Sequence, residues 1–177
     1  NSLSSTLEGA GILGIPLWDG SASGSGSATG TINARTSIAA NSTFTTALGS
    51  KSTASIALSF YSLYDTDSSL ALIAGNYVDS LGLYAGVLNI AGDGVVFLQN
   101  PDTGCVINGQ VAIINPSYNA YDARFSYSSC TGSNAVFNGA TFQGLATYDP
   151  DLREIIALVQ GTVSGAPYAD VFIFDAL

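Results

Sequence analysis

Apolar and polar residues alternate with a period near two from Thr29 to the end of the chain. Ile56, Leu58 and Phe60, for example, fall on one face of a segment whose intervening residues are small or polar. Because successive side chains of a β-strand point to opposite faces, this alternation is typical of half-buried strands in an antiparallel sheet. The regular succession of strand and helix patterns that accompanies a parallel sheet is missing, so the sequence predicts an all-β fold.

Turn signals rich in Gly, Pro, Asn and Asp separate the alternating segments. The clearest is the sequence AGDG at residues 91–94, which predicts a tight hairpin between two short apolar segments. Together the segments predict an antiparallel meander of about ten short strands. An open sheet of that size would expose two edges, so we expect a closed or nearly closed, lipocalin-like barrel, with a two-sheet β-sandwich as the alternative.

The first 28 residues differ in composition from the rest. They contain the apolar patch Ile15-Pro16-Leu17-Trp18 and lead into a Gly/Ser-rich run over residues 20–30 that is typical of a flexible linker. The expected organisation is an N-terminal apolar segment and linker over 1–28, followed by a single β domain over 29–177. The N-terminal segment is either a tether below a lipidated N-terminus or a patch docked on the β domain. Docking is favoured because an exposed apolar patch promotes aggregation.

The charge balance and the missing histidine exclude several functions. The chain carries 13 acidic and four basic residues, for a net charge of −9. Nucleic-acid binding needs a basic face that neutralises phosphates, and four scattered cations do not supply one. Without histidine there is no Ser-His-Asp triad, Cys-His dyad or His-ligated zinc. No apolar run approaches the roughly 20 residues of a transmembrane helix, and no cofactor is expected.

Two cysteines indicate the compartment. Cys105 and Cys130 each lie at the edge of a predicted strand, and the two strands are neighbours in the chain. The sequence contains no Met, and we expect that a signal peptide or lipoprotein leader has been removed. Export places the cysteines in an oxidising environment, where they would form a disulfide. The expected localisation is secreted, periplasmic, or associated with the outer membrane or cell surface.

Two pairs of aspartates are candidate metal ligands. Asp65 with Asp67, and Asp149 with Asp151, each place two carboxylates one residue apart in a predicted turn, as calcium-binding loops often do. Aspartate is also a common turn former, and the preferred interpretation of both pairs is a solvated turn without metal.

A carboxylate-dependent hydrolase is a remote alternative. Such an enzyme needs two carboxylates across a cleft, one of them with a raised pKa. Glu154, Asp170 and Asp122 lie in or near predicted strands and could face inward. Since no other pattern indicates catalysis, we expect the protein not to be an enzyme.

Aromatic residues are unevenly distributed along the chain. On the predicted strand 120–127, Tyr121, Phe125 and Tyr127 share parity and would face the same side. They form either plain core or the lining of a cavity or glycan-stacking face. The candidate ligand-binding residues are Trp18, Tyr61, Tyr121, Phe125 and Tyr127.

Several short motifs between residues 70 and 160 are more specific than the alternation itself. The chain resembles small bacterial envelope proteins, often predicted lipoproteins, that share a Gly-x-Tyr strand, an Asp-Gly hairpin and a Gly-Cys…Cys pair. The resemblance implies export, a Cys105–Cys130 bridge and a β-barrel, but no established activity and no catalytic residues. No lipobox cysteine is present, so a lipid anchor would have to lie upstream of this sequence. The matching segments are AGNY (74–77), GVLNIAGDG (86–94), TGCVING (103–109), NAY (119–121), FSYSSC (125–130) and GLATY (144–148).

The function that the sequence favours is non-catalytic. We expect an exported envelope protein that binds a small apolar ligand or a partner, such as a protein or glycan, at the cell surface. The alternative is a structural or antigenic surface module, or an adhesin-like binder without a cavity. Small inward residues beside the aromatic side chains would favour the cavity binder.

Overall fold

The computed structural model describes residues 2–10, 19–21, 23–82 and 84–177, and within 5–10 it describes the backbone alone. The chain divides into two compact units, residues 1–62 with 166–169 and residues 63–165 with 170–177. This division differs from the expected one, which placed a boundary at residue 28 and a single domain after it. The expected docking of the patch at residues 15–18 lies outside the described residues.

The described residues form twelve strands, one short α-helix and two 3-10 helices, at Ser62–Asp65 and Gly132–Phe137. The remaining elements are β1 (Ser2–Ala10), β2 (Ser23–Asn33), β3 (Ser37–Thr46), β4 (Lys51–Ser59), α1 (Leu70–Ile73), β5 (Gly75–Asp79), β6 (Leu88–Ile90), β7 (Val95–Gln99), β8 (Val106–Ile113), β9 (Tyr121–Ser128), β10 (Thr141–Asp149), β11 (Glu154–Val163) and β12 (Ala166–Ala176).

The first unit contains a four-stranded antiparallel sheet in the order β1-β2-β3-β4. Its second strand is the Gly/Ser-rich run that the sequence analysis interpreted as a linker, and that interpretation is wrong. The glycines serve close packing, because a Cβ atom at Gly26 or Gly30 would collide with the carbonyl oxygen of Thr43 or Ala39 on β3. Glycine in a strand often marks such a close approach of two backbones.

The second unit contains a closed barrel of eight strands. Its strands follow one another around the barrel in chain order from β5 to β12, and β12 closes it by pairing antiparallel with β5. The predicted β-barrel is therefore confirmed, and the β-sandwich alternative is not. The predicted count of ten strands is wrong, because the segments from residue 29 to residue 59 pair in the four-stranded sheet and not in the barrel.

The predicted hairpin at residues 91–94 is confirmed as the turn between β6 and β7. The Ala91 N–H donates to the Val95 carbonyl at 2.8 Å, and Gly94 adopts a φ of 85°. Only glycine enters that region of φ without steric cost, so Gly94 is required by the turn itself.

At one end of the barrel, here called the helical end, tyrosine side chains bind α1 and its N-cap residue Ser69. The Tyr77 hydroxyl donates to the Ile73 carbonyl at 2.8 Å, and the Tyr121 hydroxyl donates to the Ser69 carbonyl at 3.3 Å. Burial raises the pKa of Tyr77 to about 12, with a further contribution from nearby Tyr148. These two hydroxyl groups therefore connect α1 and its N-cap to strands β5 and β9 of the barrel.

At the opposite end, here called the disulfide end, Cys105 and Cys130 are bonded, with an S–S distance of 2.06 Å. Val106 and Ser128 are directly opposite each other on β8 and β9, so the same register would place Cys105 opposite Ser129. Cys130 is one residue out of that register, and Ser129 between the strand and Cys130 adopts a φ of 59°. The predicted disulfide is therefore confirmed.

Candidate functional site

The interior of the barrel holds an apolar cavity of about 60 Å³. Three alanines lie in its wall, Ala123 on β9, Ala146 on β10 and Ala157 on β11. Ala146 and Ala157 are directly opposite each other in the register of β10 and β11. Because two methyl side chains meet where larger side chains would fill the barrel, this pair leaves space in the core.

Three aromatic rings, those of Phe125, Phe172 and Phe174, also line the cavity, together with seven buried Leu, Ile and Val side chains. Phe125 stacks on Phe142 with ring centroids 5.4 Å apart, and Phe172 stacks on Phe174 at 5.8 Å. Tyr127 meets Phe142 edge to face at 5.6 Å. Such pairs stabilise a core beyond the area that they bury, by about 0.5–1.5 kcal/mol each. The cavity is therefore lined by small alanine side chains, by packed aromatic rings and by aliphatic core residues.

The size of the cavity limits what it can hold. An engineered apolar cavity of about 150 Å³ remains dry and binds benzene. The cavity in this barrel is less than half that volume, at about 60 Å³. Of the three rings in the wall, Phe125 is half-buried, whereas Phe172 and Phe174 are buried. A guest that occupies the cavity without displacing side chains must therefore be smaller than benzene.

The aromatic residues proposed from the sequence do not all come together. Tyr121, Phe125 and Tyr127 share the inner face of β9, in agreement with their parity. Phe125 lines the cavity and lies next to Tyr127, with their rings 5.8 Å apart. Tyr121 lies at the helical end with its hydroxyl bound to Ser69. Tyr61 is 67% exposed and belongs to the first unit.

The fifth proposed residue, Trp18, lies outside the described residues. The candidate site that the structure supports therefore retains Phe125, with Tyr127 packed behind it. It gains Ala146, Ala157 and Phe172, which the sequence analysis did not propose as site residues.

The buried carboxyl group of Asp170 lies next to the cavity wall, two residues before Phe172 on the inward face of β12. Asp170, Phe172 and Phe174 alternate along β12 and are all buried, with Asp170 5% exposed. The Asp170 carboxylate accepts hydrogen bonds from the Tyr84 hydroxyl and from the Val171 N–H. The Tyr84 ring packs on Phe172 at 4.9 Å, so Tyr84 connects the acid to the cavity wall.

The electrostatics of Asp170 follow from this burial. Loss of solvent raises the pKa of the Asp170 carboxyl, while the Tyr84 hydrogen bond lowers it and nearby Asp79 raises it further. The net shift is upward, so the folded state favours the protonated acid. Its contribution to stability is therefore greatest below the normal pKa of aspartate and is lost as the pH rises through the raised value.

Replacing Tyr84 by Phe is expected to destabilise the fold by about 1–3 kcal/mol at neutral pH, because a buried acceptor loses its donor. The loss should shrink toward pH 4, where a protonated Asp170 needs the donor less. Urea denaturation at a series of pH values measures both effects. Tyr64→Phe is the control, since Tyr64 is 48% exposed, and it should change stability little at any pH. A loss that is independent of pH would contradict the assigned role of Tyr84.

Two of the other acids proposed from the sequence, Asp149 and Asp122, have local partners. The Asp149 carboxylate accepts from the backbone N–H groups of Asp151 and Leu152 at 2.9 and 3.2 Å, as expected of a turn-forming aspartate. Asp122 accepts from the Arg124 guanidinium at 2.8 Å, on the outside of β9. Within the described part of the chain, no three His, Cys, Asp or Glu residues are grouped so that they could hold a metal ion.

No family of known proteins matches this chain, and no curated protein is detectably similar to it. Among the described residues, no helix is both long and apolar enough to cross a membrane.

Proposed function

We propose that this chain is a non-catalytic, exported binding protein of a bacterial envelope, and that its barrel takes up a small apolar molecule. The observation that carries the proposal is the apolar cavity between the Ala146–Ala157 pair and the rings of Phe125 and Phe172. Ligand pockets in proteins are typically concave and mostly apolar, with few polar groups. The ligand would be selected by its size and shape.

Export is supported by the Cys105–Cys130 disulfide, because such bonds persist in oxidising compartments. The resemblance to small envelope proteins supports the same location. A periplasmic or cell-surface position, with a lipid anchor upstream of this sequence, belongs to the proposal.

The proposal can be tested by NMR with propane and toluene as probes. We expect propane to shift the methyl signals of Ala123, Ala146 and Ala157 and to saturate at lower concentration than toluene, because propane is smaller than benzene and has no polar group that would lose its hydrogen bonds in an apolar cavity. Ala157→Val adds two methyl groups inside the cavity and should abolish the shifts. Ala112→Val adds the same groups on an exposed position of β8 and should preserve them. Probe shifts that survive in Ala157→Val, or no shifts in the wild type, would contradict interior binding.

A second candidate is a partner protein on the outside of the barrel. Leu145 and Leu158 are directly opposite each other on β10 and β11 and are 59% and 61% exposed. A contiguous exposed apolar patch marks an interaction site, and this pair of leucines would be part of such a patch. Binding of a partner at this outer face would be weakened by Leu158→Ser and unaffected by Ala157→Val, which changes only the interior.

A further inference from the structure

The outer edge of β4 has no pairing strand among the described residues. β4 is the last strand of the four-stranded sheet, and within the described ranges only β3 is hydrogen-bonded to it. It runs for nine residues, Lys51–Ser59, without Pro, Gly or an internal charge. Natural sheets normally protect such an edge with charges, prolines, bulges or very short strands, because its free N–H and C=O groups can pair with another chain.

The side chains of β4 are compatible with pairing to an identical strand. Ser55 is the fifth of the nine residues, so a two-fold axis at Ser55 pairs the whole strand antiparallel with its copy. In that register Lys51 lies opposite Ser59 of the second copy, so the only charged residue never meets its equivalent. The positive charges stand at opposite ends of the pair, where they do not repel each other strongly.

The same register also places each face of β4 beside the equivalent face of β4 in the second copy. Ala54, Ile56 and Leu58 share one face, and Leu58 is 56% exposed. Antiparallel pairing about Ser55 places Ile56 opposite Ala54 of the copy, so the apolar faces coincide. Thr53, Ser55 and Ala57 then continue the polar face of β2 and β3, whose members at these alternate positions are also exposed.

We propose that two copies of this chain associate through antiparallel pairing of their β4 strands, which forms a continuous eight-stranded sheet across the dimer. Such an interface is isologous, because the same strand contributes both halves, and it closes after two copies. Main-chain hydrogen bonds supply the affinity, as in other strand-addition complexes. The proposal concerns the sheet and is independent of the barrel cavity.

Cysteine cross-linking of the full chain tests the register. Ser55→Cys places two thiols opposite each other at the axis, and mild oxidation is expected to give a covalent dimer. Ala39→Cys is the matched control, because Ala39 is exposed on the same face but lies on the inner strand β3. Cross-linking equal to that of Ala39→Cys would overturn the proposal.

Light scattering over a concentration series tests the association without any thiol. The wild type should pass from monomer to dimer, and Ser55→Lys should weaken the dimer about fivefold because like charges meet across the strands. Ala39→Lys should dimerise like the wild type. A wild type that is monomeric into the millimolar range, or that grows beyond a dimer by joining β4 to β1, would contradict two-fold pairing.

Discussion

Replacing Cys105 and Cys130 together by Ala is expected to lower the free energy of unfolding by about 3 to 4 kcal/mol. The disulfide closes a segment with a sequence separation of 25 residues, and in the chain-entropy account a loop of that size stabilises a fold by this amount. Both cysteines are 6% exposed, so Ala keeps the site apolar, whereas Ser would bury a hydroxyl group.

Urea denaturation followed by tyrosine fluorescence and circular dichroism measures this loss. The wild type under strong reductant is the internal control, and its midpoint should approach that of the double variant. The barrel should still fold, because its eight strands are closed by backbone pairing and not by the disulfide. An unchanged midpoint in both experiments would show that the bond contributes nothing to stability.

Asn119→Ala is expected to lower the free energy of unfolding by about 2–5 kcal/mol, an effect comparable to the loss of the disulfide. Asn119 is 2% exposed, and its side chain accepts from the Tyr148 N–H at 3.1 Å and donates to the Tyr148 carbonyl at 2.6 Å. Its amide also donates to the Thr66 hydroxyl at 3.2 Å. Alanine leaves the backbone groups of Tyr148 buried without partners, and each such group costs about 1–3 kcal/mol.

Thermal and urea unfolding of Asn119→Ala provide the measurement. Asn76→Ala is the matched control, because Asn76 makes one side-chain bond, from Asn89 at 2.9 Å, in an exposed position. The control should lose less than about 0.5 kcal/mol. Equal losses in the two variants would contradict the view that Asn119 fastens the end of β10 to the loop before β9.

The parts of the fold that could be predicted from sequence rest on local signals. The period-two alternation indicates strands, and the AGDG turn at residues 91–94 indicates a hairpin. Both are properties of a few consecutive residues. The parity of Tyr121, Phe125 and Tyr127 placed them correctly on one face of β9. The cysteines flank neighbouring strands, which was enough to indicate their bond.

Pairing between strands was harder to predict, because the alternation of apolar and polar residues indicates a strand but not the sheet to which that strand belongs. β3 and β4 have the same pattern as the barrel strands, yet they pair with β2. β2 was not recognised as a strand because it is rich in Gly and Ser, as flexible linkers are. Its glycines are instead required by the close approach of the β3 backbone. The shared alternation of β3 and β4 led to the wrong strand count for the barrel, and the composition of β2 caused the four-stranded sheet to be missed.

The candidate site was only partly predictable for a related reason. A cavity depends on which small residues face each other, and the opposition of Ala146 to Ala157 follows from the register of β10 and β11. Tyr121 and Phe125 point to the same face of β9 but lie far apart, because four residues along a strand span about 13 Å. For Asp170, its alternation with Phe172 and Phe174 was the available signal of an inward carboxyl.

The central claim is that the barrel has an apolar interior space open to small guests, and xenon tests it most directly. Xenon is apolar, carries no hydrogen-bonding group and enters small dry cavities. Under xenon pressure we predict one bound atom per chain between the Ala146–Ala157 pair and Phe125, and no xenon there in Ala157→Val. A barrel interior without xenon in the wild type would contradict the account.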